Sequence, residues 1–420
     1  MFEQSTNQAK NQREAPPAGA GFLGIDTRTA ARPASRGLER FTAPTVLIQN
    51  IDLETGEIST TVSTPKGEKQ YKTPQQARAE RFALKSVVNQ IFPNSRFSKC
   101  CRCRRDRGGV TIQKSKKHGK AHYGGLVICG SVWACPVCAA KIAERRRSEL
   151  VAATSAAQMM GLQVALATFT VPHGLGDDIN VILDQMMSAW RFMTKQKSYK
   201  KFRDILGLVG TVRALETTHG LNGFHPHFHV LLFCKSDNPG FAAAAEWLLR
   251  PLWLHACVKS GLPEPSFDRG VKVDDGSRAA QYVSKWGLED EITKGHFKTS
   301  KGINGRSPWD FLRAVLVDDC DKSRRLFAVY AQAFKGRRQL YWSNGLRDLL
   351  GLNKEATDEE LAEIQEDDAF ELASISIEEW RGVLFTRSEA ALLDLAEREP
   401  VKIPEFLAAL AAVSQHAVKR

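Results

Sequence analysis

The chain has 420 residues, 43% of them hydrophobic and 25% charged. That is ordinary globular composition at a length that suggests two or three folding units, and it excludes collagen-like, mucin-like and wholly disordered chains. The 59 Lys+Arg and 47 Asp+Glu are unevenly spread, with 7 and 16 of them in residues 353–420, so a basic body precedes an acidic tail.

A basic body points to a polyanion partner, nucleic acid most simply, although charge alone does not separate that from an anionic membrane. No uncharged apolar run reaches the ~18 residues of a membrane span. The N-terminus lacks a compact apolar stretch after a basic start, so no secretory leader is expected. Six of the nine cysteines fall between Cys100 and Cys138. Such clustering suits a local metal site in a reducing cytoplasm better than a disulfide framework.

Residues 1–45, rich in Gln, Ala, Pro, Gly and Arg, read as a disordered N-terminal segment. Residues 46–98 read as a hairpin turning at Thr55-Gly56, followed by a helix over 74–92 that stops before Pro93. Residues 99–150 are dense in Cys, Arg, Lys and Gly and are expected to need a staple, with a helix over 141–160.

Residues 160–350 alternate element types. Leu162 to Val171 is a strand stopped by Pro172, and Asp177 to Lys197 is a helix. Leu208 to Thr217 and His225 to Phe233 are strands around a Gly-containing turn, so they pair antiparallel. Phe241 to Lys259 is a helix, Phe267 to Val273 a strand, Ser277 to Trp286 a short helix, Arg324 to Phe334 a helix and Arg338 to Trp342 a strand. The fold class expected is α+β, a central antiparallel sheet with helices on one face. Residues 351–420 form an acidic tail with a helical pattern, and no internal repeat is visible.

The strongest chemical signal is Phe224-His225-Pro226-His227-Phe228-His229-Val230. Strand side chains alternate, so His225, His227 and His229 share one face while Phe228 and Val230 take the other. One histidine there is an ordinary core residue; a row of them calls for a ligand. Glu216, on the preceding strand, lies within reach across the turn. Two imidazoles and a carboxylate would leave open positions on a metal for water or substrate oxygens. The bland reading of Glu216 is a cross-strand partner for Arg213. A non-haem iron centre uses the same donor types, but the basic body and the strand pattern rank that reading low.

Tyr282 and Lys285 stand at i and i+3 of the short helix, capped by Asp275 or Ser277, and so share a face. A phenol is a weak nucleophile at neutral pH unless a cation or a metal helps it. In the cysteine segment, Cys100, Cys103, Cys135 and Cys138 form two CxxC pairs that suit a structural zinc, with Cys101 and Cys129 spare or alternate ligands. Residues 101–150 hold 12 Lys+Arg against 3 Asp+Glu, the densest basic region and the best candidate for gripping DNA. Trp133 and Tyr123 either stack on unpaired bases there or pack on the metal lobe.

These motifs together resemble the plasmid rolling-circle replication initiators of the HUH endonuclease superfamily. His227-Phe228-His229 is the His-hydrophobic-His element; Phe169-Thr170-Val171-Pro172-His173-Gly174 resembles the first motif, Arg213 to His229 the second, and Tyr282-Val283-Ser284-Lys285 the third. Gly336 to Ser343 and the Cys-rich segment add to the likeness, which covers about residues 98–350. The resemblance implies a ferredoxin-like HUH nicking-joining domain over 160–350. It implies that Tyr282 attacks one origin strand, keeps the 5′-phosphate and frees a 3′-hydroxyl for a polymerase to extend. Glu216, His227 and His229 would hold Mg²⁺ or Mn²⁺, with His225 supporting them from behind and Lys285 assisting the tyrosine. Origin DNA, double- and single-stranded, is the implied partner, with a host helicase and polymerase as candidates for the acidic tail, which otherwise serves only solubility. Some members place a glutamate four residues before the tyrosine; Arg278 stands there instead, which leaves the termination step in doubt. A related transposase and a non-catalytic zinc repressor are the alternatives.

Overall fold

A computed structural model describes residues 46–51, 58–64, 67–71, 73–236, 238, 240–284, 305–363 and 368–418. The segment 1–45, the turn at Thr55-Gly56 and Lys285 lie outside the described residues. Strands in chain order are β1 (Val46–Ile51), β2 (Ile58–Thr64), β3 (Gly67–Tyr71), β4 (Val110–Ser115), β5 (Ala121–Gly124), β6 (Gln163–Thr170), β7 (Leu208–Gly220), β8 (Gly223–Cys234), β9 (Val271–Asp274), β10 (Leu340–Trp342) and β11 (Ala369–Ile375). They form three antiparallel sheets, β1-β2-β3, β10-β7-β8-β6-β9 and β11-β4-β5. The class is α+β.

The five-stranded sheet is the frame of the molecule. β7 and β8 are long neighbours joined through Leu221-Asn222, with Gly223 at φ +86, a value that favours glycine. One face of the sheet carries Leu215, Phe228, Val230 and Leu232 into a core shared with the helices Ile179–Lys195 and Phe241–Lys259. The other carries Val212, Ala214, Leu231 and Phe233 against Leu150, Ala153 and Ala157 of the helix Pro136–Met159. Helices therefore cover both faces, not one. The reason lies in the strands: Leu231 and Leu232 are consecutive and both buried, so each face of β8 needs a cover.

Two element readings change. Phe267–Gly270 is a helical turn and the strand begins only at Val271. The acidic tail is helical except for β11, which adds to β4 of the Cys-rich segment. That segment has too few apolar residues for a core of its own, and the tail supplies them. Val110 and Ile112 pack with Ile375, Trp380, Val383, Leu392 and Leu393. Arg78 reinforces the joint through Asp394 at 2.5 Å and through Glu397. Tyr123 belongs to this packing, its hydroxyl donating to the Glu389 carbonyl, whereas Trp133 packs in the main core against Tyr330 and Phe334 and its indole N–H donates to the Arg337 carbonyl. Among the described residues, no helix is long and apolar enough to cross a membrane.

Candidate functional site

β7 and β8 pair with Glu216 directly opposite His227 and Ala214 opposite His229. Paired residues of an antiparallel ladder share a face, so the carboxylate and both imidazoles project together. Glu216 Oε2 lies 3.8 Å from His227 Nε2 and 3.7 Å from His229 Nε2. One donor atom from each of the three falls within 4.8 Å of the others, a spacing a small cation would bridge. Arg213, three residues from Glu216, points to the opposite face, where its guanidinium stacks 4.8 Å from the Phe228 ring and near Trp190 and Tyr341. It is not the partner of Glu216.

Both imidazoles are held from behind. The His227 Nδ1–H donates to the His225 carbonyl at 3.1 Å, and His229 Nδ1 lies 3.0 Å from Thr168 Oγ1 on β6. The first contact leaves the His227 Nε2 lone pair available, and both Nε2 atoms face Glu216. Burial lowers the pKa of His227, although the Glu216 carboxylate opposes it. His225 reaches sideways instead, its Nδ1 3.2 Å from Nδ1 of His173. Burial, His227 and His173 push His225 down to about 4. His225 thus meets the site through its backbone carbonyl and through ring stacking on His227.

The short helix Gly276–Ser284 brings Tyr282 over the same face. Asp275 starts it, accepting from the Ser277 N–H at 3.0 Å and the Ser277 hydroxyl at 2.6 Å. Ala279 and Val283 anchor it in the core formed with Leu150, Ala153 and Val212. The Tyr282 hydroxyl donates to Glu216 Oε1 at 2.6 Å, and its ring sits 4.9 Å from that of His229. One carboxylate therefore holds the phenol with one oxygen and faces both imidazoles with the other. Arg278 is exposed on this helix; Tyr330 is buried and Tyr341 lies on the Arg213 side of β10.

The second cluster is Cys100, Cys129, Cys135 and Cys138, all buried. The sulfurs of Cys100 and Cys138 are 3.4 Å apart, those of Cys129 and Cys138 3.6 Å, and those of Cys100 and Cys135 3.8 Å. A tetrahedral zinc with Zn–S bonds of about 2.3 Å has sulfurs roughly 3.8 Å apart, so this donor set fits zinc. Burial alone would raise the Cys135 thiol, but hydrogen bonds from Cys100, Cys129 and Cys138 hold it well below the ordinary range. Cys103 is not part of the cluster; it is exposed. The backbone decides this. Cys101 N–H donates to Val127 and Val127 N–H to Cys103, which fixes a turn with Cys101 at φ 55. That turn points the Cys103 side chain outward and brings Cys129, whose N–H donates to Cys100 Sγ at 3.3 Å, into the fourth place. The available signal was the run Cys129, Cys135, Cys138, three thiols within ten residues.

Residues 127–384 match the replication protein family. The chain is 27% identical over 334 residues to "Protein rep" of Streptomyces lividans, covering 62% of this chain and 73% of that protein. It is 26% identical over 273 residues to "Protein rep" of a Bacillus sp, covering 59% of this chain and 82% of that protein. A third relative, "Protein rep" of Bacillus amyloliquefaciens, is 28% identical over 216 residues, which span 46% of this chain and 58% of that protein. No solved structure matches.

Proposed function

The chain belongs to the replication protein family, and from that premise we propose that it initiates rolling-circle replication of a plasmid by nicking one origin strand and later rejoining it. The observation that carries this reading is the shared carboxylate, with Glu216 bonded to the Tyr282 hydroxyl and facing His227 and His229.

The reaction is a transesterification. Tyr282 Oη attacks phosphorus, the Oη–P bond forms and the P–O3′ bond breaks. The products are a 5′-phosphotyrosine and a free 3′-hydroxyl; the phenol proton ends on the 3′ oxygen. Glu216 Oε1 orients the phenol and eases loss of its proton. The acceptor set of Glu216, His227 and His229 suits Mg²⁺ or Mn²⁺, which when bound supplies charge neutralisation and polarisation at the scissile phosphate. The sheet holds the three acceptors rigidly, so they need little reorganisation. Lys285, three residues after Tyr282 in the sequence, is assigned to the developing charge on the phenol or the phosphate. One phosphodiester replaces another, so the step is close to energy balance and runs in reverse for rejoining. The four-thiol cluster takes Zn²⁺ and staples the basic segment that contacts origin DNA. The proposed setting is the cytoplasm, with a plasmid's origin as partner.

The test is a denaturing gel after incubation with single-stranded origin DNA and Mn²⁺. Wild-type protein is expected to give a covalent protein–DNA band. Tyr282→Phe and the double variant His227→Ala/His229→Ala are expected to give none. DNA binding with no band in wild type, across several metals, would turn the reading to a non-catalytic DNA-binding protein.

A further inference from the structure

A second cleft, of about 860 Å³, lies away from the histidine face, between the helix Pro74–Ile91, the cysteine turn and the C-terminal helices. Apart from Leu316 and Leu384, the residues lining it fall outside the span 127–384 matched by the family. The nicking chemistry makes no use of it.

Three cations line this cleft: Lys99 and Arg102 on one side and Arg387 on the other. None has a carboxylate partner within 4.0 Å among the described residues, whereas ten arginines elsewhere are paired. Asn89 and Asn94 add amides, and Phe82 an aromatic side chain. Glu389 is the one carboxylate among the described lining residues; burial raises its pKa against the opposing charges of Arg102, Lys85 and Arg387, so three cations face one partly neutralised carboxylate.

Arg387 adds an independent clue. It sits at φ 54, in the left-handed region, in the turn between the helices Ile377–Phe385 and Glu389–Arg398. Glycine adopts that conformation without penalty, and an arginine does not. Such residues persist where the surrounding structure holds them, here through the Ser388 N–H donating to the Val383 carbonyl, and they cluster at functional sites. Here that residue is a cation within a tail of net negative charge, and it lines the cleft together with Lys99 and Arg102.

We infer that this cleft seats an unpaired stretch of DNA, with Lys99, Arg102 and Arg387 on its phosphates and Asn89, Asn94 and Phe82 toward its bases. Cations placed for phosphates, with amides and an aromatic ring between them, are the chemistry of single-strand recognition. The acidic tail thereby acquires a role, since it builds one wall of the DNA site. The choice of DNA as occupant rests on the proposed function.

The test uses the full chain and fluorescence anisotropy with labelled single-stranded origin oligonucleotides over a range of salt. The variants are Lys99→Gln/Arg102→Gln/Arg387→Gln and the single Arg387→Gly. A charge-matched control, Lys197→Gln/Lys200→Gln/Lys201→Gln, removes three exposed lysines from another surface. The cleft triple is expected to bind on the order of tenfold more weakly, with the slope of log K against log salt reduced by about 2. Arg387→Gly is expected to weaken binding while keeping or raising Tm, because it relieves the strained turn; a merely structural arginine would not separate the two readouts. Unchanged affinity in the cleft triple, or an equal loss in the control, overturns the inference. Loss confined to duplex DNA, or to free dAMP in a calorimetric titration, also overturns it and reassigns the cleft. The covalent adduct is scored in the same wild-type samples. An adduct with unaltered binding by the variants removes the cleft and keeps the nicking reading. Weakened binding by the variants with no wild-type adduct does the reverse.

Discussion

The two ligand clusters are built by opposite means. Glu216, His227 and His229 stand on adjacent strands whose hydrogen-bond register sets their positions. Cys100, Cys129, Cys135 and Cys138 come from a turn, a loop and the first residues of a helix. In the first, periodicity along the chain is geometry in space. In the second, the path of the loop chooses which thiols meet. The strand cluster is open and lies under a tyrosine; the thiol cluster is closed and buried. An open set suits chemistry and a closed one suits support.

The sharpest way to break that division is at Tyr282. If the strand cluster is the reacting centre, Tyr282→Phe removes only the hydroxyl bonded to Glu216. Adduct formation should fall by at least about 10³-fold. The ring keeps its place beside His229, so Tm should hold. A persistent adduct would assign the nucleophile elsewhere.

At the thiol cluster the expected effect is on folding. Cys129→Ser removes one of four buried ligands and should cost at least about 3 kcal/mol, seen as a lowered Tm and loss of bound zinc by metal analysis. Chelation of the wild type should lower Tm likewise. A Cys129→Ser protein with full zinc content would restore Cys103 as the ligand.

Much of this was legible because the sheet is regular. The helix Phe241–Lys259 matches its expected bounds, and Glu216 faces the histidines as the hairpin predicts. Three features were hidden for physical reasons. Helices cover a second sheet face because β8 is apolar on both sides along Leu231 to Cys234, and a continuous apolar run carries no face preference. β11 pairs with β4 across more than 250 residues of chain, a contact that no local pattern encodes. Cys129 displaces Cys103 through backbone hydrogen bonds between residues 101–103 and Val127, invisible in side-chain spacing.

A smaller effect should appear behind the strand cluster. Thr168 touches no substrate; it positions His229 through Nδ1 at 3.0 Å. Thr168→Val removes that contact at nearly constant volume. Mn²⁺ affinity, read by calorimetry, should fall roughly 10- to 100-fold with little change in Tm, and Thr168→Ser should restore most of it. Equal Mn²⁺ affinity in all three proteins would mean that the strand register alone fixes the imidazole.

The smallest effect should be at Cys103, and it is as informative as the large ones. Its thiol is exposed, and its structural contribution runs through backbone atoms: its N–H donates to the Lys99 carbonyl and its carbonyl accepts from Val127. Cys103→Ser preserves both bonds, so stability should stay within about 0.5 kcal/mol and zinc content should stay full. CxxC spacing treats Cys100 and Cys103 as a pair, whereas the folded turn separates them. Zinc loss in Cys103→Ser together with zinc retention in Cys129→Ser would show that spacing, not the loop path, selects the ligands. The opposite result would fix the contrast between the clusters, with register setting the ligands on the strands and backbone hydrogen bonding setting them in the loop.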